Sequence, residues 1–280
     1  MANDLKNMHL AFIGCGVMGE SMVAGLLRKE LVERNGISAS HPRENRRKEL
    51  KEKYGISVFE SNADAAKAVL DEANSAVMLC VKPQRLSNVL NDLNSVLSHD
   101  QLVVSIVAGA TIDSLSTALG TKRIVRAMPN TPSQIGAGIT AWTCTDAVED
   151  TERAHVKELL AALGKELFVE TENMIDMATS LSATGPTYTF MVMEALTDAG
   201  VHLGFSRDMA RELVQETMLG SIRFAMESHK HPAELRNMVT SPGGTSAEAI
   251  YQMEKGTLRT VLSKAVYAAY KRAVSLGEKK

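Results

Sequence analysis

A glycine-rich turn between a short apolar run and a helical stretch is the feature that most constrains this fold. The apolar run from His9 to Ile13 leads into Gly14-Cys15-Gly16-Val17-Met18-Gly19, and a helical pattern follows from Glu20 to Lys29. Glycines in this order allow a tight turn, and the helix N-terminus that follows offers amide groups to a pyrophosphate. A glycine-rich turn without a ligand is the alternative for such a motif on its own. The flanking strand and helix favour a dinucleotide-binding βαβ unit.

Short apolar runs alternate with helical patterns from residue 8 to about residue 170. This alternation is typical of a mostly parallel, doubly wound sheet with crossover helices. The run from Ala76 to Val81 is apolar throughout, as expected of a strand that helices cover on both faces. The predicted strands are residues 8–13, 37–39, 56–59, 76–81, 102–107, 123–127, 138–142 and 166–169.

The pattern changes after about residue 172, where β-branched runs become rare and helical spacing continues to the end of the chain. We therefore predict an α/β protein, with an N-terminal Rossmann-type domain over residues 1–170 and an all-helical domain over residues 171–280. The stretch from Pro186 to Leu203 opens with a proline suited to a first helical turn and is apolar on most sides. Such a helix is either a core element of its own domain or an interface with a second copy.

Charge excludes some classes of partner. The 280 residues contain 31 Lys and Arg against 33 Asp and Glu, for a net charge of −2. The chain therefore has no overall basic field to attract nucleic acid or an anionic membrane. No stretch reaches the ~18 uncharged apolar residues of a membrane span, and Met1 to Lys6 lacks the apolar segment of a signal peptide. We expect no nucleic-acid or membrane partner.

The cysteines indicate a reducing compartment. Cys15, Cys80 and Cys144 are far apart in sequence and form no C-x-x-C pair. This spacing argues against a disulfide framework and against a structural zinc site. We expect a soluble cytoplasmic protein without a metal site.

The residues after the second predicted strand bear on the choice of cofactor. NAD-selective sites place an Asp or Glu about 20 residues past the glycine turn, where it binds the ribose 2′-hydroxyl. This chain has Ala39-Ser40-His41-Pro42-Arg43 there. A carboxylate would repel a 2′-phosphate, whereas Ser40, His41 and Arg43 can donate hydrogen bonds to one. The segment favours NADPH, with NADH still possible; the alternative is a solvated helix face formed by Arg43, Arg46, Arg47 and Lys48.

Two further turns follow predicted strands. Ligands of doubly wound sheets bind outside the carboxyl ends of the strands, so Val81-Lys82-Pro83 and Val107-Ala108-Gly109 should border the nicotinamide end. Lys82 could equally be a charge at the exit of its strand. The proline-bounded segment Met128-Pro129-Asn130-Thr131-Pro132 forms either the floor of a pocket or a rigid structural turn.

A second glycine-rich motif lies in the helical half. Ser241-Pro242-Gly243-Gly244-Thr245-Ser246-Ala247-Glu248 precedes a helical stretch, and Thr245 with Glu248 predicts a capping box at its start. Free amides at such a start can bind a small anion such as a carboxylate, with the Ser246 hydroxyl beside them. A plain helix cap is the alternative. The segment from Ser182 to Tyr188 could break one helix and start the next.

Taken together, these motifs resemble the pyrroline-5-carboxylate reductase family over nearly the whole chain and in the family's order. The resemblance implies a Rossmann domain followed by a helical domain that forms a homodimer, often assembled further into a ring of dimers. It also implies NAD(P)H-dependent reduction of a small imino acid, 1-pyrroline-5-carboxylate, to L-proline. The motifs that carry it are Gly14 to Gly19, Val81-Lys82-Pro83, residues 128–132, Thr184-Gly185-Pro186-Thr187-Tyr188 and residues 241–246.

The resemblance also implies roles for individual residues. The loop from Gly14 to Gly19 would hold the pyrophosphate, and Ser40, His41 and Asn62 would lie by the adenosine ribose. Lys82 and Pro83 would line the nicotinamide side. The amides of Gly243, Gly244, Thr245 and Ser246 would bind the substrate carboxylate, and the Ser246 hydroxyl would meet the imine nitrogen as the catalytic group.

Two departures from the family pattern bear on specificity. Ser246 stands where relatives usually have Thr, which keeps the hydroxyl. Ala183, Thr184 and Thr187 replace smaller residues of a Ser-Gly-Ser-Gly-Pro-Ala-Tyr pattern and add bulk near the expected pocket, which affects substrate preference more than reaction type. Two alternative functions stay open: a β-hydroxyacid dehydrogenase and a non-catalytic NADPH-binding regulator. The first needs a base such as a helix lysine, and between residues 172 and 250 the sequence has only Lys230.

Overall fold

The structure, a computed structural model, describes residues 5–70, 72 and 74–278. The outer ends of both predicted domains therefore lie outside the described residues. The chain forms two compact units, Met1–Thr184 with Ala269–Lys280 and Gly185–Ala268. This division follows contacts within the chain, and the domain boundary between residues 170 and 171 stays a prediction.

The first unit contains one eight-stranded sheet in the order β3-β2-β1-β4-β5-β6-β7-β8. All neighbouring strands are parallel except β6 and β7, which are antiparallel. The prediction of a mostly parallel, doubly wound sheet is confirmed, and each predicted strand has a counterpart. The strands are β1 His9–Ile13, β2 Ile37–Ser40, β3 Ser57–Phe59, β4 Ser75–Leu79, β5 Leu102–Ser105, β6 Ile124–Met128, β7 Gly138–Cys144 and β8 Gly164–Phe168.

Helices cover both faces of this sheet, which explains why β1 and β4 at its centre are almost entirely apolar. Alternate residues of β1 enter different cores: Leu10 and Phe12 lie in one, and Ala11 and Ile13 lie in the other. The first core packs against α1, α2 and α6, and the second packs against α3, α4 and α5. The helices are α1 Val17–Arg28, α2 Glu44–Tyr54, α3 Asn62–Leu70, α4 Leu86–Asn94, α5 Ile112–Leu119, α6 Asp150–Ala161 and α7 Asn173–Ala178.

A buried arginine attaches α7 to the sheet. The Arg126 side chain on β6 is 1% exposed and donates to Glu172 at 2.8 Å and to Asp176 at 2.6 Å. The same Glu172 oxygen accepts the Ile112 amide at 2.8 Å, where α5 begins. Loss of either carboxylate would leave buried positive charge less well compensated, which is strongly unfavourable. The network therefore keeps α7 within the first unit.

The second unit is all helical, as predicted. A π-helical segment, Thr179–Ala183, separates α7 from α8, which confirms that the chain breaks one helix near residue 182 and starts another. Helix α9 begins at an N-cap, Ser206, whose hydroxyl accepts the Met209 amide. The helices are α8 Gly185–His202, α9 Arg207–Ser228, α10 Pro232–Met238, α11 Thr245–Lys255 and α12 Leu258–Glu278, whose last residues belong to the first unit.

The second unit has almost no core of its own. Ala210 is the only buried residue of Gly185–Ala268, a range that the structure describes in full. Helix α8 has no buried residue, so the interpretation of this stretch as a core helix of its own domain is wrong for a single chain. Exposed apolar side chains include Phe190, Leu203, Met209, Leu213, Ile222 and Tyr251. Apolar surface on this scale is typical of an obligate interface between subunits.

None of the helices in the described part of the chain combines the length and the apolar character that a membrane span needs.

Candidate functional site

The glycine turn after β1 uses each of its glycines for a different reason. Gly14 has a φ of +74°, and a Cβ there would lie 2.1 Å from the Val81 Cγ1. A Cβ on Gly19 would meet Cys80 at 3.3 Å and the Cys15 Sγ at 3.4 Å, so helix α1 packs closely on the turn. A Cβ on Gly16 would have no atom nearer than 3.8 Å, so the backbone there is open to a ligand. These three demands match those of a dinucleotide turn.

The N-terminus of α1 presents free amides beside this turn. Its N-cap is Gly16, which has no side chain to cap the helix. Among the described residues, the backbone amides of Val17 and Met18 have no hydrogen-bond acceptor, and Val17 is 61% exposed. Unpaired amides at the positive end of a helix dipole bind anions. The residues present therefore fit the pyrophosphate of a dinucleotide.

Glu20, in the first turn of α1, carries a charge that sequence reasoning missed. Its carboxylate accepts hydrogen bonds from Arg46, from Lys53 at 3.0 Å and from Tyr54 at 2.8 Å. Burial raises the pKa of Glu20, but these hydrogen bonds outweigh burial and lower it to about 2. The carboxylate is thus ionised and paired with cations of α2. Only its position in the first helical turn could have pointed to it.

Ser40 connects the glycine turn to the start of α3. Its buried hydroxyl accepts the Gly14 amide at 2.9 Å and donates to the Asn62 Oδ1 at 2.7 Å. The Asn62 Nδ2 donates in turn to Asp92 on α4 at 2.8 Å. The structure thus brings Ser40 and Asn62 together with the glycine turn. Because the Ser40 hydroxyl is already engaged, its role as a direct cofactor ligand stays a prediction.

His41 and Arg43 follow Ser40 at the carboxyl end of β2. The His41 Nδ1 accepts the Arg43 backbone amide at 3.2 Å. Burial, followed by the charges of Arg43, Arg46 and Arg47, lowers the pKa of His41 below its ordinary 6.5. At neutral pH the imidazole is therefore uncharged, and with Nδ1 as acceptor it carries its proton on Nε2 as a donor.

Arg43 differs from the other cations of this region. Its guanidinium is exposed, has no hydrogen-bond partner among the described residues, and borders a surface pocket of about 500 Å³. The next three cations belong to a paired helix face, as the alternative interpretation held. Arg46 pairs with Glu20 and Glu49, Arg47 pairs with Glu60, and Lys48 pairs with Glu44.

Strands β1 and β4 are neighbours at the point where the strand order reverses, which is where ligands of doubly wound sheets bind. Val81, just past β4, contacts the glycine turn. Pro83 opens a short 3₁₀ turn, and the exposed Lys82 lies at its N-cap. The structure thus places Val81-Lys82-Pro83 beside the turn that would hold the pyrophosphate.

The loop after β5 is held in place by two elements. Ala108 packs against a small apolar cluster that contains Met128 and Ile175. Gly109 has a φ of +74°, and a Cβ there would lie 2.6 Å from the Leu276 Cβ in the last turn of α12. The segment 128–132 ends in a 3₁₀ turn and is fixed because the Asn130 side chain accepts the Ile139 amide at 3.0 Å.

The thiols of the turn region are not reactive groups. Burial is the largest influence on both Cys15 and Cys80; it raises the pKa of Cys15 to about 12 and that of Cys80 well above its ordinary value. Both thiols are free. Because the thiolate is the nucleophile, neither side chain is one near neutral pH.

The second glycine motif, in the second unit, starts α11 differently from the prediction. The N-cap is Gly244 and not Thr245, and the Glu248 carboxylate accepts from Gln252 at 3.0 Å instead of from the backbone of Thr245. The predicted capping box is therefore wrong. The reason is steric: Ser241 lies so close that a Cβ on residue 244 would be 2.5 Å from its Oγ, so a glycine takes the cap position.

This start of α11 nevertheless offers donors to an anion. The Gly244 amide donates to the Ser241 carbonyl at 3.0 Å and is occupied. The amides of Gly243, Thr245 and Ser246 have no acceptor within the described chain, and all three residues are exposed or half-buried. Gly243 has a φ of +71° and open space around it. Three free amides and the Ser246 hydroxyl thus lie along one helix start.

Comparison with known proteins covers both units. The family model described as "Pyrroline-5-carboxylate reductase dimerisation" matches residues 172–276, and "NADP oxidoreductase coenzyme F420-dependent" matches residues 9–109. A curated protein of Pseudomonas aeruginosa named pyrroline-5-carboxylate reductase is 39% identical over 275 residues, 98% of each chain. One of Pisum sativum with the same name is 36% identical over 267 residues, 95% of each chain.

A solved structure is similar over the same length. The crystal structure of Plasmodium falciparum pyrroline carboxylate reductase with NADP bound has a TM-score of 0.88 at 28% identity, covering 98% of this chain and 99% of that one. Identity above one third to curated relatives, sustained over nearly the full length of both chains, identifies this chain as a member of the pyrroline-5-carboxylate reductase family.

Proposed function

We propose that this protein reduces the ring imine of 1-pyrroline-5-carboxylate to L-proline, with NADPH as the preferred reductant and NADH as a second one. Its family membership across both units carries the proposal. The geometry adds two supports. The turn at Gly14 to Gly19 fits a dinucleotide, and the start of α11 offers unpaired amides to a carboxylate.

The first unit supplies the cofactor site. The Gly14 to Gly19 turn and the free amides of α1 hold the pyrophosphate, while Arg43 and the neutral His41 donate to the 2′-phosphate. Val81, Lys82 and Pro83, with Ala108 and Gly109, border the nicotinamide. The bound NADPH supplies a hydride.

The second unit supplies the substrate site. The free amides of Gly243, Thr245 and Ser246 bind the carboxylate of the imino acid, and the Gly244 amide, which is occupied, shapes the turn. The Ser246 hydroxyl accepts a hydrogen bond from the protonated ring nitrogen and orients it. A carboxylate at a helix start is favoured by the helix dipole as well as by hydrogen bonds.

Such a reaction needs few side chains. A protonated imine is already an electrophile, and addition of hydride to its carbon quenches the positive charge on nitrogen. The protein has to align two reactants within roughly 3 to 3.5 Å, which turns a bimolecular encounter into an oriented step. No group with a strongly shifted pKa is required for this, and Ser246 acts through position.

We also propose a homodimer through the second unit, further dimers in a ring, and a cytoplasmic location. The family model that matches residues 172–276 is a dimerisation model, and the apolar side chains of α8 and α9 are uncovered on a single chain. Free cysteines fit a reducing compartment. Mass measurement in solution by light scattering gives the number of subunits.

The test of the function is a direct assay. Purified protein with pyrroline-5-carboxylate should oxidise NADPH, and at high pH it should reduce NADP⁺ with L-proline. Binding of NADPH without turnover would favour a regulator. Oxidation of a β-hydroxy acid instead would favour the dehydrogenase alternative. That reaction needs a base such as a helix lysine, but Lys230 lies in the exposed connection between α9 and α10, with its Nζ near the Met238 sulfur. The rate with the six-membered homologue, compared with that for pyrroline-5-carboxylate, shows how Ala183, Thr184 and Thr187 affect substrate preference.

Replacing Arg43 with glutamate should change the cofactor preference. The variant loses a charged donor to the 2′-phosphate, an interaction that contributes about 1.5 to 3 kcal/mol. We expect KM for NADPH to rise about 10- to 100-fold and KM for NADH to change less than about 3-fold. Lys48→Glu is the matched control, since Lys48 is an exposed cation of the same helix that pairs with Glu44. Equal changes for both cofactors would remove Arg43 from the 2′-phosphate site.

A further inference from the structure

We propose that Asp92 is a positioning residue for the cofactor, acting through Asn62 and Ser40 on the glycine turn. The inference rests on the proposed function, because it concerns the site that holds NADPH. Sequence reasoning gave no role to Asp92. It lies on the exposed surface of α4, where an aspartate would ordinarily be a solvated charge.

The proposal rests on three consecutive hydrogen bonds in which each residue donates to the next. The Gly14 amide donates to the Ser40 hydroxyl at 2.9 Å, and that hydroxyl donates to the Asn62 carbonyl oxygen at 2.7 Å. The Asn62 amide nitrogen then donates to the Asp92 carboxylate at 2.8 Å. This series of hydrogen bonds starts at Gly14 and ends at the Asp92 carboxylate.

Asp92 determines which way the Asn62 side chain faces. The two ends of an asparagine amide have opposite hydrogen-bonding character, with an acceptor at one end and donors at the other. A carboxylate accepts only, so it selects the orientation that presents the amide nitrogen to Asp92 and the oxygen to Ser40. Without Asp92, the amide can turn over and compete for Ser40 as a donor.

The charge also strengthens the other two bonds. A carboxylate polarises the Asn62 amide, which makes its oxygen a better acceptor for Ser40, and the Ser40 oxygen becomes a better acceptor for Gly14. Gly14 has a positive φ and lies against Val81, so its peptide is confined on both sides. Asp92 thus helps to fix the peptide that begins the pyrophosphate turn without touching the cofactor.

In the described part of the chain, Asp92 has no other polar interaction that would account for its position. It forms no salt bridge with a described Lys, Arg or His, and its described hydrogen bond is the one from Asn62. The neighbouring Asn91 is also exposed on α4. This difference between adjacent residues provides a matched control.

The experiment compares Asp92→Ala, Asp92→Asn and Asn91→Ala in the full-length protein. Asp92→Ala should raise both KM and the dissociation constant for NADPH about 3- to 10-fold, as expected for loss of one hydrogen bond of ordinary strength at an exposed position, with kcat within about 2-fold of wild type. Asp92→Asn should recover only part of the affinity, because its amide oxygen accepts from Asn62 but it has no charge and can also present a donor. Asn91→Ala should behave as wild type, and the melting temperature of all three should stay within a few degrees.

A second comparison separates positioning from a general charge effect. Ser40→Ala and Asp92→Ala act on one chain of bonds, so the double variant should bind NADPH about as weakly as Ser40→Ala alone. Additive losses, an unchanged dissociation constant in Asp92→Ala, or a fall in kcat at constant KM would overturn the proposal. The dissociation constant is measured by the quenching of intrinsic fluorescence on addition of NADPH and needs no turnover. If the wild type binds NADPH but does not reduce the imine, the proposed function is wrong. The role of Asp92 in cofactor binding can still be tested, because the dissociation constants of the variants do not depend on turnover.

Discussion

Substitution of Ser246 with alanine is expected to lower kcat/KM for pyrroline-5-carboxylate by about 10- to 1,000-fold, the range that a positioned hydrogen-bonding or acid-base group contributes. The Ser246 side chain is half-buried in the first turn of α11, and Ser246 is one of three residues at this helix start with a free amide. Alanine keeps the backbone amide, so the carboxylate can still bind. The loss should therefore be larger in kcat than in KM, as steady-state rates over a range of imine concentrations will measure.

Two further variants make this result specific. Ser246→Thr keeps a hydroxyl at this position and should retain most of the wild-type rate. Ser221→Ala removes a hydroxyl from an exposed position on α9, where it donates to the Thr217 carbonyl, and should leave kcat/KM near that of wild type. An unchanged kcat/KM in Ser246→Ala would exclude this hydroxyl from the mechanism.

Substitution of Gly14 with alanine is expected to reduce affinity for NADPH by about 10- to 100-fold, because a displaced turn would lose at least one hydrogen bond to the charged pyrophosphate, which contributes about 1.5 to 3 kcal/mol. The new Cβ would lie 2.1 Å from the Val81 Cγ1, and φ would remain +74°, a conformation that is unfavourable for alanine. Either the turn or β4 has to move. Calorimetric titration with NADPH measures the loss, and thermal unfolding measures the accompanying destabilisation.

Comparison with Gly16→Ala distinguishes the two reasons for glycine in this turn. Gly16 has a φ of −81°, and the nearest atom to its Cβ would be 3.8 Å away, so this variant should keep the stability of wild type. It should still bind NADPH more weakly, because its methyl group faces the ligand. The double variant Gly14→Ala with Val81→Ala should regain part of the lost stability. If Gly14→Ala binds and unfolds as wild type does, the close packing against Val81 is not what the turn requires.

Much of the fold was predictable because parallel strands covered on both faces leave a strong pattern. The run from Ala76 to Val81 is apolar at every position, and β4 occupies its first part. The antiparallel placement of β7 beside β6 was not predictable, since the short apolar run looks the same in either direction. What covers α8 was also not predictable, because an apolar helix surface does not specify whether its own chain or another chain packs against it.

The candidate site was predictable where a motif has a single physical purpose. The glycine turn and the segment from Ala39 to Arg43 are such motifs, and the structure places both at the carboxyl ends of neighbouring strands. The capping box at Thr245 failed because Ser241 approaches residue 244 so closely that the cap position takes glycine, and this depends on the conformation of the turn, which the capping pattern does not encode. Asp92 was missed because its partner, Asn62, lies 30 residues earlier in the sequence. No local pattern encodes that contact.

The scarcity of buried side chains in Gly185–Ala268 has a kinetic consequence. The first unit has its own buried cores and can fold within one chain, whereas in the proposed homodimer α8 and α9 gain their hydrophobic free energy only when two molecules associate. Maturation of the enzyme is then a second-order process at low expression levels. After dilution from urea, the rate at which activity recovers should fall as the protein concentration is lowered, while the fluorescence of Trp142 on β7 should return at a rate that does not depend on concentration.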